Sequence, residues 1–343
     1  MGLNEAQKDA VLHKDGPCLV LAGPGSGKTL TIVNRVKYLI EGYKVRPEEI
    51  LVVTFTRFAA AEMRSRLCSL MGKERLPVTI GTFHGIYYGI LRWTYRIGQK
   101  NLLSDNEKYQ ILRQVIRHQK LEIFDEGDFL KDIAFEIGKI KNQRIRPEEF
   151  ISEKCEAAVF QQIYREYEEQ RKRRRKIDFD DMLVICQKCF MEDKETLQYW
   201  KNQFTHIMID EFQDTNSIQA DIFYMLAGPD GNLFVVGDDD QSIYKFRSAD
   251  SSIMLDFPKT FPKCRTIYMD TNYRSGTEVI KYAGNLIRIN KNRFEKNFHG
   301  FREEQGAVSA IACNGQIQEV DCILKDMNSL RKQGVKYTDM AGL

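Results

Sequence analysis

Six short apolar runs punctuate the chain, at Pro17–Leu21, Ile50–Phe55, Val78–Thr82, His206–Asp210, Leu233–Gly237 and Arg265–Met269. Each is of strand length, and most lead into a stretch whose apolar residues recur at helical spacing. Runs that are apolar throughout, alternating with helices, predict a parallel sheet covered by helices on both faces. Between Trp93 and Ile177 this alternation stops. Apolar residues there recur at helical periods among Glu, Lys and Arg, over Glu107–Gln119, Phe129–Lys141 and Ala157–Lys172, which predicts an all-helical insertion within the α/β unit. A second α/β unit is expected to open with Arg265–Met269 as a strand. It would continue through a helix at Ser275–Asn290, a strand at Ala307–Ala312 and a helix at Ile317–Lys332, then enter another strand at Tyr337–Leu343. The expected division is 1–92 with 178–264 as the first α/β domain, 93–177 as the insertion and 265–343 as part of a second α/β domain.

The first strand runs into Ala22-Gly23-Pro24-Gly25-Ser26-Gly27-Lys28-Thr29, and a helical pattern follows at once. A glycine-rich turn between strand and helix lets successive backbone N–H groups point inward at phosphate oxygens, and the helix N-terminus adds its positive dipole end. Lys28 is expected to reach the β- and γ-phosphates of ATP, and the Thr29 hydroxyl to hold Mg²⁺. Ala22 stands where the strict pattern has its first glycine, a departure that a small residue tolerates. Such a loop needs a carboxylate on a neighbouring strand, and Ile207-Met208-Ile209-Asp210-Glu211 supplies two acids at the carboxyl end of an apolar run. Asp210 is the expected Mg²⁺ partner, and Glu211 the expected acceptor of the proton from an attacking water. Acid pairs after strands also serve as helix caps; the phosphate loop is what favours catalysis.

Composition narrows the setting. With 343 residues, two domains or more are expected. Hydrophobic residues at 43% and charged residues at 29% are those of an ordinary globular protein. Fifty-one basic against 48 acidic side chains leave a formal charge of +3, too small to announce a nucleic-acid partner, so any such field must be local. Eight cysteines without a secretory signal suggest reduced thiols and a cytoplasmic protein. Cys186 and Cys189 form a lone CxxC in a helical apolar stretch, and core packing is the favoured role there over zinc or redox chemistry. No apolar run approaches membrane-spanning length.

Further blocks make the reading specific. Ile209-Asp210-Glu211-Phe212-Gln213-Asp214-Thr215-Asn216 resembles the DEFQDTN box of UvrD/Rep-type superfamily 1 DNA helicases. Other blocks similar to that family's motifs occur in its order. These are Leu3-Asn4 with Gln7, Val53-Thr54-Phe55-Thr56 followed by Ala59-Ala60-Ala61-Glu62-Met63, Gly81-Thr82-Phe83-His84, and Asp178-Phe179-Asp180-Asp181. Val236-Gly237-Asp238-Asp239-Asp240-Gln241-Ser242-Ile243-Tyr244 and Asn272-Tyr273-Arg274-Ser275 complete the series, so the resemblance spans essentially the whole chain. It implies a RecA-like P-loop domain with a helical insertion and the start of a second RecA-like domain. It also implies an ATP- and Mg²⁺-dependent DNA translocase of 3′–5′ polarity, acting on single strands and single/double-strand junctions in processes such as DNA repair.

Residue by residue, the resemblance implies that Gln7 and Tyr273 hold adenine, while Ala22, Gly23, Gly25, Ser26, Gly27, Lys28 and Thr29 hold the phosphates. Gln241 would contact the γ-phosphate, and Arg274 would act on the transferred phosphoryl group as an arginine finger. Phe55, Phe179, Tyr244 and Phe246 would stack on bases, and Thr56, Thr82, His84 and Arg247 would hold the DNA backbone. Aromatic faces accept any base, as a motor stepping along unrelated sequence requires. The chain departs from the family at Leu30, where an arginine is common, at Arg57-Phe58 in place of Asn-Lys, and at Phe246 in place of tryptophan. Nothing between Gly276 and Leu343 resembles the family's last ATPase motifs, so binding of nucleotide and DNA with feeble turnover is expected of this chain. A non-catalytic nucleotide- and DNA-binding module, and the front part of a helicase–nuclease recombination subunit, stay open as alternatives. So does a duplex- or strand-contacting role for the basic run Arg171–Lys176.

Overall fold

A computed structural model describes residues 2–119, 121, 123–245 and 248–341. Phe246 and Arg247, both expected at the DNA site, lie outside the described residues. The chain opens with α1 (Glu5–Leu12), β1 (Cys18–Ala22), α2 (Lys28–Glu41), β2 (Ile50–Thr54), α3 (Arg57–Met71), β3 (Thr79–Thr82) and α4 (Phe83–Tyr95). Three long helices follow, α5 (Asp105–His118), α6 (Glu126–Gln143) and α7 (Ala157–Arg173). Then come α8 (Phe179–Glu192), α9 (Lys194–Gln203), β4 (His206–Ile209), α10 (Ser217–Ala227) and β5 (Asn232–Gly237). The last part holds α11 (Ser252–Leu255), α12 (Phe257–Thr260), β6 (Arg265–Met269), β7 (Thr271–Asn272), α13 (Thr277–Ile287), β8 (His299–Gly300) and α14 (Gln316–Lys332).

The six long strands form one parallel sheet in the order β3-β2-β4-β5-β1-β6. Strands β1 and β2 are buried along their whole length, which is why they read as unbroken apolar runs. One face of the sheet packs against α4, α8 and α10 through residues such as Leu19, Val53, Tyr87, Cys186 and Phe223. The other packs against α1, α2 and α3 through Val20, Ile32, Val52 and Met63. Cys186 and Cys189 are buried in the first of these cores. Helices α5, α6 and α7 have a core of their own, built on Ile111, Leu112, Ile133, Ile137, Phe160 and Ile163. The two ends of that helical segment are stitched together where Leu103 N–H donates to Ile177 O and Ile177 N–H donates to Asn101 O, both at 2.8 Å.

Three expectations are corrected. Arg265–Met269 does not open a separate sheet: as β6 it pairs with β1 from Cys18↔Arg265 to Ala22↔Met269 and forms the edge of the first one. The apolar run specifies a strand, but which sheet it joins depends on pairing with residues 247 positions away. Ala307–Ala312 is not a strand; its residues are exposed and no described strand lies beside them to complete a ladder. Tyr337–Asp339 is a single turn of 3₁₀ helix rather than a strand, and Gly342 and Leu343 lie outside the described residues. Among the described residues no helix is long and apolar enough to cross a membrane.

Candidate nucleotide site and nucleic-acid groove

The phosphate loop joins β1 to α2 at the carboxyl edge of the sheet. Gly25 and Gly27 sit at φ +68° and +89°, a region that side chains disfavour. Space also excludes a side chain: a Cβ at Gly25 would lie 2.7 Å from Arg274 Cβ, and one at Gly27 would lie 2.8 Å from Gln7 Nε2. At Gly23 the ring of Phe298 comes so near that a Cβ would overlap it. Ser26 is buried, and its hydroxyl donates to Gly23 O at 2.7 Å, closing the loop on itself.

Two neighbouring segments brace this loop. Gln7 belongs to the reciprocal cap of α1, its Oε1 accepting from Asn4 N–H at 3.0 Å while its Nε2 donates to Ser26 O at 2.8 Å. Both ends of the expected adenine reader are thus held within the protein, each with one further hydrogen-bonding position left for a base edge. Tyr273 donates its N–H to Gly25 O at 3.0 Å, and its hydroxyl accepts from Asn4 Nδ2 at 2.8 Å. Its ring lies 4.8 Å from that of Phe301. Arg274 is exposed beside Gly25, and its N–H donates to Asn272 Oδ1 at 2.8 Å. Thus α1, the phosphate loop and the β7–α13 turn meet in one place.

Lys28 is the first residue of α2, and its ammonium lies 2.9 Å from Glu211 Oε2. Glu211 follows β4 in the left-handed region at φ +52°, a conformation costly for a non-glycine residue and characteristic of functional turns. Asp210 is 5% exposed, and its Oδ1 has no hydrogen-bond partner. Burial, reinforced by the adjacent Glu211 charge and opposed by Lys28, pushes the Asp210 carboxyl up to about 7. The same causes raise Asp214 to about 6, and its Oδ1 is likewise buried without a partner. Sequence reasoning did not single out Asp214; only its place in the Asp210–Asn216 motif hinted at it.

Buried carboxylate oxygens without partners are a cost that a cation removes. Among the described residues no group of three or more His, Cys, Asp or Glu could hold a metal. Mg²⁺ does not need one, since it is commonly bound by one or two carboxylates with phosphate oxygens and water completing its shell. Asp210, with the half-buried Thr29 at the start of α2, fits that donor set.

A cleft of about 780 Å³ separates the sheet domain from the helical insertion. Phe55, Thr56, His84, Phe179 and Tyr244, five of the eight residues expected to bind DNA, line it. Thr82 does not; its hydroxyl caps α4 by accepting from Gly85 N–H at 3.2 Å. Thr56 likewise caps α3, accepting from Ala59 N–H at 3.0 Å. The His84 and Phe179 rings meet edge to face at 5.3 Å, with Phe179 half exposed. Burial, opposed by Asp180, lowers the His84 pKa, which keeps the imidazole neutral at pH 7. The opposite wall comes from α5 and α6 and brings Lys108, Lys131, Phe135, Lys139 and Asn142, none singled out from sequence. Three lysines in the lining face three aspartates, Asp105, Asp180 and Asp214, so aromatic surface rather than excess charge distinguishes this groove.

The basic run is partly internal. Arg171 is buried, paired with Glu168 at 2.6 Å and Asp181 at 2.9 Å, while Lys176 pairs with Glu107 at 2.8 Å. Lys141 completes the cluster, within 2.9 Å of Glu168, Asp178 and Asp181. These pairs join α6 and α7 to the start of α8, next to Phe179. Lys172 and Arg173 remain exposed.

Comparison with known proteins shows the family. The family model described as the UvrD/REP helicase N-terminal domain matches residues 3–262. YjcD of Bacillus subtilis (strain 168) is 36% identical over 355 residues, covering 100% of this chain and 46% of that protein. The ATP-dependent DNA helicase PcrA of Staphylococcus epidermidis (strain RP62A) is 32% identical over 347 residues, covering 99% of this chain and 47% of that protein. PcrA of Staphylococcus aureus (strain Mu50) is 31% identical over the same length and coverage. The chain spans about half the length of the curated relatives it matches.

Proposed function

Because the chain belongs to the UvrD/Rep helicase family, we propose that it is the nucleotide- and single-strand-binding portion of an ATP-driven DNA translocase. The observation that carries this reading is the arrangement around Lys28. A phosphate loop, a strained Glu211 and a buried Asp210 with an unpaired oxygen converge at one sheet edge, and an aromatic groove opens beside them.

In this reading Gly23 to Thr29 hold the triphosphate, with Lys28 leaving Glu211 for the β- and γ-oxygens. Thr29 and Asp210 hold Mg²⁺, which neutralises charge on the phosphates. Glu211, freed of the lysine, accepts a proton from the attacking water. Arg274 approaches from beside Gly25, and Gln241 from the Asp238 loop. Tyr273 offers its ring to adenine. In the groove, Phe179, Phe55 and Tyr244 stack on bases of a single strand, while neutral His84 and Thr56 bond to its backbone. A cytoplasmic setting follows the cysteine usage; the 3′–5′ polarity and the action at strand junctions follow the family resemblance. So does the division into a sheet domain, an insertion over 93–177 and the start of a second domain, with β6 moved to the first.

Binding of labelled single-stranded oligonucleotides of two unrelated sequences tests this. Both should bind with similar affinity, and Phe179→Ala should weaken both by the ~1–3 kcal/mol of a lost base stack, roughly 5- to 150-fold. Absence of binding, or a Phe179→Ala variant that binds as the wild type does, would refute the groove assignment.

A further inference from the structure

A continuous line of polar contacts runs from the phosphate loop to a residue that no sequence motif marked. Lys28 meets Glu211 Oε2 at 2.9 Å, and Gln213 Nε2 donates to that same oxygen at 2.9 Å. Gln213 Oε1 accepts from the backbone N–H of Asp238 at 3.0 Å. A Cβ at Gly237 would lie 2.5 Å from Gln213 Oε1, so the end of β5 is glycine where this contact has to form. Asp238 then divides its carboxylate: Oδ2 accepts from Gln241 Nε2 at 2.7 Å, and Oδ1 accepts from Lys296.

Lys296 is almost wholly buried and also pairs with Asp239 and, at 2.9 Å, with Asp240. Three consecutive carboxylates would repel one another, and Lys296 with Arg293, which grips Asp240 through two nitrogens, offsets two of the three charges. Phe294 N–H donates to Asp239 Oδ2 at 2.9 Å. Two residues beyond Lys296, the Phe298 ring rests on Gly23 of the phosphate loop. One short segment therefore touches the phosphate loop at one end and the Asp238–Gln241 loop at the other. That loop continues directly to Tyr244 in the lining of the groove.

We propose that Lys296 is a positioning residue for Gln241. By holding Asp238 Oδ1, it presents Oδ2 to the glutamine, and it sets the loop whose two ends face the nucleotide and the DNA groove. Nucleotide occupancy and single-strand affinity are linked through this contact. Among the described residues Arg293 hydrogen-bonds the carboxylate of Asp240, whereas the Gln241 side chain donates to Asp238, so Arg293 braces the loop without setting the glutamine. The inference rests on the reading of both binding sites given above.

The experiment measures the dissociation constant of a labelled oligothymidylate by anisotropy, with and without the Mg²⁺ complex of β,γ-imido-ATP. In the wild type the nucleotide should change that constant by about 5-fold or more, a usual size for coupled sites. In Lys296→Met the change should shrink to within about twofold of none, while each ligand alone still binds within about threefold of wild type. Lys296→Arg and Arg293→Ala should keep most of the coupling. Should Lys296→Met melt early, Lys296→Met with Asp239→Asn, which removes one charge of each sign, carries the same expectation. Wild-type coupling retained in the Lys296→Met protein overturns the proposal. So does an Arg293→Ala variant that loses as much, and so does a wild type that binds both ligands without coupling. A wild type that binds neither ligand refutes the underlying reading of the sites as well.

Discussion

Lys28 and Glu211, 183 positions apart in sequence, meet at 2.9 Å across the mouth of the phosphate loop. The lysine that should grip a triphosphate and the carboxylate that should accept a proton from water are each other's counter-ion. Phosphate oxygens must therefore displace Glu211 from Lys28 before the carboxylate can act as a base.

This exchange predicts that Glu211→Gln binds nucleotide more tightly than wild type. Replacing the carboxylate with a neutral amide removes both the competitor for Lys28 and a charge that repels phosphate. A charge-assisted contact of ~1.5–3 kcal/mol is at stake, of which we expect roughly 1 kcal/mol to appear, a gain of about fivefold. Calorimetric titration with an ATP analogue checks it; equal or weaker binding by Glu211→Gln would contradict the exchange.

Asp210 carries a cost to the fold that the proposed Mg²⁺ role would offset. Its carboxyl is raised to about 7 from a usual value near 4, so the folded protein favours the protonated form. The stability it contributes is full below the unfolded pKa and is lost as pH rises from about 4 to about 7. Asp210→Asn should therefore melt higher than wild type, by about 2 °C or more at pH 8 and by less at pH 5. Added Mg²⁺–nucleotide should reverse the order at pH 8, because only the wild type supplies the carboxylate. Thermal melts at the two pH values decide it, and a variant less stable than wild type at pH 8 without nucleotide would count against a buried, unpaired Asp210.

Lys141 holds the insertion to the sheet domain. It is buried among Glu168, Asp178 and Asp181, with Arg171 the other cation bonded to Glu168 and Asp181. Coulombic attraction to Lys141 holds the Asp178 carboxyl well below its ordinary range despite burial, whereas burial and the charge of Asp178 raise Asp181 to about 6. Lys141→Met leaves buried negative charge uncompensated and should cost ~3–5 kcal/mol of unfolding free energy. Urea denaturation measures this, and a loss below about 1 kcal/mol, typical of a surface pair, would show the cluster to be solvated.

The phosphate loop, the Asp210–Asn216 box and strands β1 to β5 were legible because their signals are local. A glycine-rich turn, an acid pair closing an apolar run and unbroken burial each declare themselves within ten residues. What escaped sequence reading depends on distant partners. Strand β6 reads correctly as a strand, yet only its ladder with β1 puts it in the first sheet. Ala307–Ala312 has a strand's composition but no described neighbour to pair with. Arg171 looks like one of six surface cations and is buried, because Glu168 and Asp181 reach it from α7 and α8. Lys296 carries no pattern at all; its role depends on carboxylates 56 to 58 positions earlier.

The most direct test of the account is equilibrium binding of a fluorescent ATP analogue with Mg²⁺ to this chain and to its Lys28→Ala variant. The account predicts saturable binding at one site. It also predicts that Lys28→Ala is weaker by about tenfold or more, since a charged contact of roughly 1.5–3 kcal/mol to phosphate is lost. Removing Mg²⁺ with a chelator should weaken the wild type as well. A wild-type chain that does not bind, or a Lys28→Ala variant that binds equally well, would contradict the assignment of the phosphate loop.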